Sequence, residues 1–583
     1  MKTIRKILPF IRPYWKLSAL SLVLLMLLVL MDLAIPRLIQ RIIDQGINMN
    51  RLDVVVQTSL IMLAISLFSA AFAVANNIAS VRVGESVARD MREALFLKIE
   101  GLSFGNLDRF NTGMLMVRLT SDTTAVQRLI QVSLRIGTRA PLMMIGSLIL
   151  MFNTDTSLAL NLLPLLLVTA AVIVFFSFKM EPLFRIVQQK LDRLNMVLQE
   201  NIAGARLVKS FVRASSEAKR FDEANEDFTG RTVQVMQFMS SMSPVLTIFV
   251  NLGIVIVIWA GGLQAIRDEI SIGQIVAFTN YMLTTMGPLT MMSLLANVWA
   301  NGLASSQRIH EVMDTVVDVR DQPGAQPLPP DFKARIVFEN VSFRYDGDAD
   351  PDEALVLEDI NLTAEPGETV AILGATGAGK STLVKLIARF YDVTSGCITI
   401  DGLDVRCIQQ ESLLAQIGMA PQEAVLFSGS IRDNIRYGRP QAGEDEVIAA
   451  ARAAQAHEFI LKLPQGYDTH VEERGVNLSG GQKQRITIAR AIITQPKILI
   501  LDDSTSSVDV ETETKIQAAL EKIMQGRTSF IVAQRISTVL NADKIVVIDR
   551  GRVAALGSHL QLLQCSPIYR EIYDSQLGNG ASN

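Results

Sequence analysis

No cysteine occurs in the first 396 residues of this 583-residue chain; Cys397, Cys407 and Cys565 all lie in the C-terminal half. Their spacing fits neither a metal site nor a disulfide framework, and a reducing compartment around that half follows. Charge is scarce as well: acidic and basic residues make up 19% of the chain and nearly cancel, leaving a net charge of -3. No basic stretch is long enough to follow a phosphate backbone, so nucleic acid is set aside as a partner. Apolar residues take the place of the missing charge, at 49% with a mean hydropathy of +0.30. That balance points to a chain lying partly in lipid. The length also exceeds that of a single soluble domain.

Apolar runs long enough to cross a bilayer as helices fall at roughly 17–40, 54–80, 135–153, 157–178, 241–265 and 273–299. The polar segments 81–134 and 179–240 carry most of the neighbouring Lys and Arg, whereas the short connections on the other side contain little basic charge, for example "NTDT" at 153–156. The positive-inside rule therefore places both termini and both long segments in the cytoplasm. The basic start, "MKTIRKILPFIRPYWK", precedes an apolar run too long for a cleaved signal, and Trp15 and Lys16 suit an interfacial anchor. Within the long segments an apolar residue recurs every three or four positions, which predicts helical extensions of the spans. "DQPGAQPLPPDF" then breaks the helical pattern, and from about 334 short strands alternate with helices. The expected organisation is a membrane domain over 1–310, a linker over 311–333 and an α/β domain over 334–583. No internal repeat is visible.

Polar groups inside the spans are mostly neutral, such as Asn76, Asn77, Asn251, Asn280 and Asn297. Asp32 is the ionisable exception in the first span. It suits a cation contact or an outward gate, or else a place near the outer interface or a cap on the kink at Pro36. Methionines cluster in "YMLTTMGPLTMMSLL" and "VMQFMSSMSP", where thioethers suit varied apolar ligands or packing against lipid.

The strand "TVAILG" runs into "GATGAGKST", residues 374–382, a phosphate-binding pattern in its required strand, loop and helix context. Gly374, Gly377 and Gly379 let backbone N–H groups close on phosphate oxygens, Lys380 reaches the β and γ phosphates, and Ser381 can ligate Mg²⁺. Thr376 and Thr382 belong to the same nucleotide-binding loop. Asp502 closes the apolar strand "KILILD", where a carboxylate can hold Mg²⁺ directly or through water.

"LSGGQ" at 478–482, between that loop and that strand, resembles the signature of ATP-binding cassette (ABC) proteins. Six spans ahead of one cassette resemble an ABC exporter half-transporter, over nearly the whole chain. The resemblance implies a six-helix all-α transmembrane domain followed by an α/β P-loop NTPase domain, with ATP and Mg²⁺ as cofactors. It also implies a second half-transporter chain, because two cassettes meet head to tail with each ATP between one chain's phosphate loop and the other's signature. On that pattern Tyr345 would stack on adenine, and Gln422 would link Mg²⁺ and the attacking water to the membrane helices. Ser479, Gly480, Gly481 and Gln482 would contact the partner-held γ phosphate, Asp509 would cross the interface, and Glu473 would sit near the cytoplasmic loops. Parts of 102–122 and 208–224 would form coupling helices.

Two positions depart from the family pattern. Asp503 stands where a water-orienting Glu is usual, and Gln534 where a His that contacts the γ phosphate is usual. Asp is one methylene shorter, and a misplacement of about 1 Å can cost about a hundredfold in rate. Gln can hydrogen-bond but cannot carry the positive charge of a protonated His. With binding groups intact and this shell blunted, the chain resembles the degenerate-site subunit of heterodimeric bacterial multidrug exporters. The expected function is ATP-driven export of lipophilic or amphipathic compounds, drug-like or lipid, across the bacterial inner membrane. The alternatives are a slowly hydrolysing homodimeric lipid or drug flippase and an ATP-gated membrane regulator, the latter without a pore-lining charge ring. The lack of early cysteines argues against a fused cysteine-peptidase domain.

Overall fold

A computed structural model describes residues 2–345, 355–503 and 510–577. They divide into two compact units, Met1–Glu100 with Gly113–Asp314, and Gly101–Thr112 with Thr315–Asn583.

The first unit is built from long helices. Five of them, Arg5–Ile47, Leu52–Glu100, Thr112–Thr154, Thr156–Ala203 and Ala214–Ile266, are long and apolar enough among the described residues to cross a membrane. The expected sixth span falls in the helix Ile272–Met313, where the side chains at 286, 289, 290, 292–294 and 296 lie outside the described ones. At 48 residues, the fourth helix is about 72 Å long, over twice a bilayer core of about 30 Å, so these helices continue well beyond the lipid. The chain reverses near Phe211 and Val212, which are 69% and 86% exposed, with Val212 held at a φ of 52°. A β-branched residue in that conformation is strained, and the turn is correspondingly tight.

Packing inside this unit centres on Leu33, Met151, Leu162, Phe278, Tyr281 and Met282. The buried Tyr281 hydroxyl donates to the Leu33 carbonyl at 3.2 Å, which satisfies its polar tip. Asp32 accepts from Arg139 Nη2 at 2.8 Å and from Ser69 Oγ at 3.0 Å. It lies roughly 16 residues, about 24 Å, along its helix from Lys16, and Arg139 stands as far from the turn at Asp155. The pair is thus mid-helix, and the carboxylate read as a candidate cation contact is held by the chain's own arginine.

A second charged cluster forms where the third helix loosens into a π-turn over Arg118–Asp122. Asp122, whose side chain is 3% exposed, accepts from Arg118 Nη1 at 3.1 Å and Arg308 Nε at 3.1 Å. Arg308 on this buried carboxylate ties the third helix to the sixth, and Arg118 adds a second guanidinium from the carboxylate's own helix.

The second unit holds two main sheets. Strands Leu357–Ala364, Ile336–Phe343 and Ser395–Ile400 pair antiparallel, with a short strand at Leu403–Asp404 on the edge. The six-stranded sheet runs Arg552–Gly557, Lys544–Asp549, Thr369–Gly374, Thr528–Val532, Ile498–Asp502, Ile417–Ala420, and all its pairings but the first are parallel. Every position of "ILILD" and "TSFIV" is buried, as expected of central parallel strands covered on both faces. The phosphate-loop strand lies between two parallel neighbours, so its loop opens at the sheet's C-terminal edge.

Segment 101–112 belongs to this unit. Its helix Phe104–Arg109 is capped by Ser103, and Phe104 stacks on Phe390 with ring centroids 4.0 Å apart. Asn106 is buried and donates to the Val316 carbonyl at 3.0 Å. Residues of the expected linker also join in: Gln326 bridges Ile408, and Phe332 is buried.

Replacing Asp122 by Ala leaves Arg118 buried without its counter-charge. We expect a loss of about 3 kcal/mol, read as a lower thermal midpoint in lipid nanodiscs, with partial recovery when Arg118→Leu is added.

Candidate functional site

The loop after Thr369–Gly374 approaches its neighbours too closely for side chains. A Cβ on Gly374 would lie 2.2 Å from the Ile548 carbonyl oxygen. Gly379 combines a φ of 101° with a would-be Cβ contact of 2.7 Å to Leu357. Glycine alone fits both demands. The helix Lys380–Ile387 starts directly afterwards, so its first N–H groups and positive dipole end face the loop.

Lys380 is 7% exposed and folds back, donating to the carbonyls of Gly374 and Ala375 at 2.9 Å each. Burial lowers its pKa, while the nearby Asp503 and Asp502 push it up. Ser381 Oγ donates to Asp502 Oδ1 at 2.9 Å. Burial raises the Asp502 pKa, opposed by that bond and by Lys385 and Lys380. A desolvated cation and a desolvated carboxylate therefore share one small space. Phosphate oxygens suit the first and a hard divalent cation the second. Among the described residues no group of three or more His, Cys, Asp or Glu could hold a metal by itself. The donor set fits Mg²⁺ all the same, since that ion commonly takes one carboxylate or hydroxyl and fills its shell with phosphate and water.

Asp503 is buried, with its backbone in the left-handed region at a φ of 46°. Its N–H donates to the Val532 carbonyl at 3.0 Å, and its Oδ2 accepts from Gln534 Nε2 at 2.8 Å. The two positions that depart from the family pattern are bonded to each other. Gln576, on the C-terminal helix Pro567–Leu577, holds the segment from behind. Its Nε2 donates to the Gln534 carbonyl at 2.9 Å and its Oε1 accepts from the Ile536 N–H at 2.7 Å. Nothing in the sequence pointed to Gln576, because no motif links residues so far apart.

Tyr345 bonds through its hydroxyl to Thr382 Oγ1 at 2.8 Å and meets Tyr391 edge-on, with centroids 5.2 Å apart at 90°. Tyr391 in turn donates to Asp108 Oδ2 at 2.5 Å, and burial with this carboxylate raises its pKa. Segment 101–112 is thereby linked through two tyrosines to the phosphate-loop helix, a connection the sequence reading did not contain.

A cavity of about 310 Å³ brings together Tyr345, Thr376, Gly377, Gly379, Lys380, Ser381, Thr382, Gln422, Asp502, Asp503 and Gln534. Ser479, Gly480, Gly481 and Gln482 do not line it. They stand at the start of another helix, Gly480–Ile492, where Ser479 Oγ accepts from the Gln482 N–H and Gln482 Oε1 from the Ser479 N–H. This reciprocal cap satisfies two N–H groups and leaves the Ser hydroxyl proton and the Gln amide donors available. Glu473 is exposed in a tight turn beside Arg474, whose φ is 54°. Asp509 lies outside the described residues.

Comparison with known proteins accounts for both units. Residues 18–289 match the family model described as the ABC transporter transmembrane region, and residues 357–506 the one described as ABC transporter. The chain is 40% identical over 583 residues, 99% of each protein, to the uncharacterized ABC transporter ATP-binding protein YfiB of Bacillus subtilis (strain 168). It is 37% identical over 494 residues to the ATP-dependent lipid A-core flippase of Syntrophus aciditrophicus (strain SB), covering 85% of this chain and 81% of that one. Among solved structures, a bacterial Atm1-family ABC exporter with ATP bound superposes with a TM-score of 0.80 at 27% identity, covering 97% of this chain and 99% of that one.

Gln576→Ala removes both bonds that hold the Gln534 segment. At about 1 kcal/mol per bond, it is expected to lower the denaturation midpoint of the cassette measurably, and Gln576→Glu, which retains only the acceptor, to give about half the loss.

Proposed function

The chain belongs to the ABC transporter family as an exporter that couples ATP hydrolysis to transport, and from that premise we propose that it is the slow-site subunit of a heterodimer. It is an integral membrane protein, and this reading sets it in the bacterial inner membrane with its cassette in the cytoplasm. One observation carries the proposal: the phosphate-loop cavity contains Asp503 bonded to Gln534 but none of the residues Ser479 to Gln482. A complete site then needs a signature from another chain, and this chain's own signature is free to complete the partner's site.

In this reading the loop N–H groups and Lys380 hold the ATP phosphates, Thr376 and Thr382 border them, and Tyr345 supports the adenine. Ser381, Asp502 and Gln422 would hold Mg²⁺, which when bound would neutralise phosphate charge. Asp503 is the group closest to a water-orienting role, yet one of its oxygens is committed to the Gln534 amide. Gln534 cannot supply the positive charge that a protonated imidazole would bring to the γ phosphate. ATP therefore stays bound here longer than at the partner's site. Asp509, Ser479, Gly480, Gly481 and Gln482 act across the dimer, and closure passes to the membrane helices through Gln422, Glu473 and the segments 102–122 and 208–224. The exposed Phe211 and Val212 form an apolar tip suited to docking on a cassette. Closure is driven only by the difference in ATP affinity between closed and open states.

The cargo is lipophilic or amphipathic, drug-like or lipid. A homodimeric flippase with two slow sites is the second reading, favoured by the similarity to a lipid A-core flippase.

ATPase activity of the chain alone in lipid separates the two. Wild type should be nearly inactive, and Asp503→Glu with Gln534→His should raise turnover by ten- to a hundredfold. Robust wild-type turnover that the double change leaves untouched would end the slow-site reading.

A further inference from the structure

Behind the bonded Asp503 and Gln534, the cassette holds a cavity larger than the nucleotide one. It measures about 580 Å³, against about 310 Å³ for the cavity of Lys380 and Ser381. The two share three lining residues, Asp503, Val532 and Gln534. The hydrogen-bonded pair is therefore a partition, with the phosphate-loop groups on one side and a separate space on the other. That space follows the buried strand Thr528–Val532 from its start, where Gly367, Thr369 and Asp543 line it, to Gln534 beyond its end. Five strand residues cover about 17 Å.

The floor of this space is apolar. Leu501, Ile531 and Ala533 come from the sheet, Leu520 and Met524 from the helix Val510–Met524, and all five are buried. Charge is sorted by sign along it. Glu521 and Asp543, both exposed, stand near the strand starts. Glu521 Oε1 accepts from Asn541 Nδ2 at 2.7 Å, and Asp543 Oδ2 accepts from the Thr369 N–H at 2.8 Å. Each keeps one carboxylate oxygen without a hydrogen bond, and neither forms an ion pair among the described residues. Lys544, next to Asp543, is already paired with Glu368 at 2.8 Å. Arg535, the one basic residue among the described lining, follows Gln534 at the other end and is itself engaged. Two uncompensated carboxylates beside an apolar floor repel a nucleotide or any other anion and suit a cation carried on an apolar body. The volume falls within the range of about 300–1,000 Å³ usual for small-molecule sites.

We propose that this cavity is a regulatory site for a lipophilic ammonium compound. The apolar body lies on Leu501, Leu520 and Ile531, the ammonium meets Glu521 and Asp543, and occupancy acts on Asp503 and Gln534 from behind. Filling the space behind the pair restricts its opening, so Asp503 stays on the Gln534 amide and orients water less often. Lys380, Ser381 and Asp502 do not line this cavity and keep their hold on ATP. The ammonium site stands without the slow-site reading; only its effect on turnover rests on Asp503 and Gln534 belonging to the hydrolytic shell.

The test uses the full chain in phosphatidylcholine nanodiscs, titrated with phenylbutylammonium and, as a neutral probe of equal body, phenylbutanol, with binding to empty nanodiscs subtracted. The ammonium should bind about tenfold tighter, and ATP should not displace it. Glu521→Gln with Asp543→Asn should remove that preference, Met524→Trp, which fills the cavity, should weaken both probes, and Glu444→Gln, outside it, should change neither. Should the variants not fold, a diazirine analogue of the ammonium must label segment 520–543 of the wild-type chain. Single-turnover hydrolysis at saturating ATP should slow about threefold with the ammonium present, at unchanged ATP Kd. Equal binding of the two probes, a preference that survives the double change, displacement by ATP, labelling confined to the membrane helices, or an unaltered single-turnover rate would each overturn the proposal. The slow-site reading is judged separately, by the rate without ammonium: a fast wild type ends that reading, and a threefold slowing of the fast rate still upholds the regulatory site.

Discussion

The cassette depends on one close approach of backbone to backbone. Gly374 ends its strand against the Ile548 carbonyl, with no room for even a methyl group, and Gly379 turns the chain into the helix from a conformation other residues resist. Lys380 and Ser381 follow directly, so their positions are set by the sheet rather than by a flexible loop. The parallel pairing that brings Ile498–Asp502 and Thr528–Val532 alongside then delivers Asp502, Asp503 and Gln534 to the same edge. The phosphate-binding groups and the hydrolytic shell share one rigid scaffold, which is how one can be kept while the other is changed.

That change is structurally coherent. An aspartate at 503 has a short reach, and the Gln534 amide lies within bonding distance of it. The pair satisfies itself without nucleotide, and Gln576 braces it through the backbone. In the slow-site reading proposed above, a self-satisfied pair is less available to orient water, while the phosphate-binding groups are untouched. The two tyrosines between Thr382 and Asp108 work on the other side of the cavity. They place the segment 101–112 within two side chains of the nucleotide site, and the stack of Phe104 on Phe390 keeps it there.

In the membrane unit the controlling quantity is charge without water. Asp32 and Arg139 neutralise one another at mid-helix, and Asp122 gathers two arginines nearer the helical extensions. Arg37 and Arg135 have no carboxylate partner among the described residues.

Much of this was legible in the sequence. Residue spacing carried the nucleotide loop, because strand, glycines, lysine and serine are local and their chemistry depends on neighbours within a few positions. Apolar run lengths carried the spans, because lipid thickness acts on contiguous residues. The departures at Asp503 and Gln534 were visible as residue types, although their hydrogen bond was not. Contacts between distant segments were decided only by the tertiary structure: Asp32 with Arg139, Gln576 behind Gln534, and Asp108 with Tyr391. Each joins residues that no motif connects, and hydropathy says only that a charge is present, not which partner reaches it. A sequence records which groups must be satisfied; folding chooses the partners, since that choice follows from helix packing and sheet order across the whole chain.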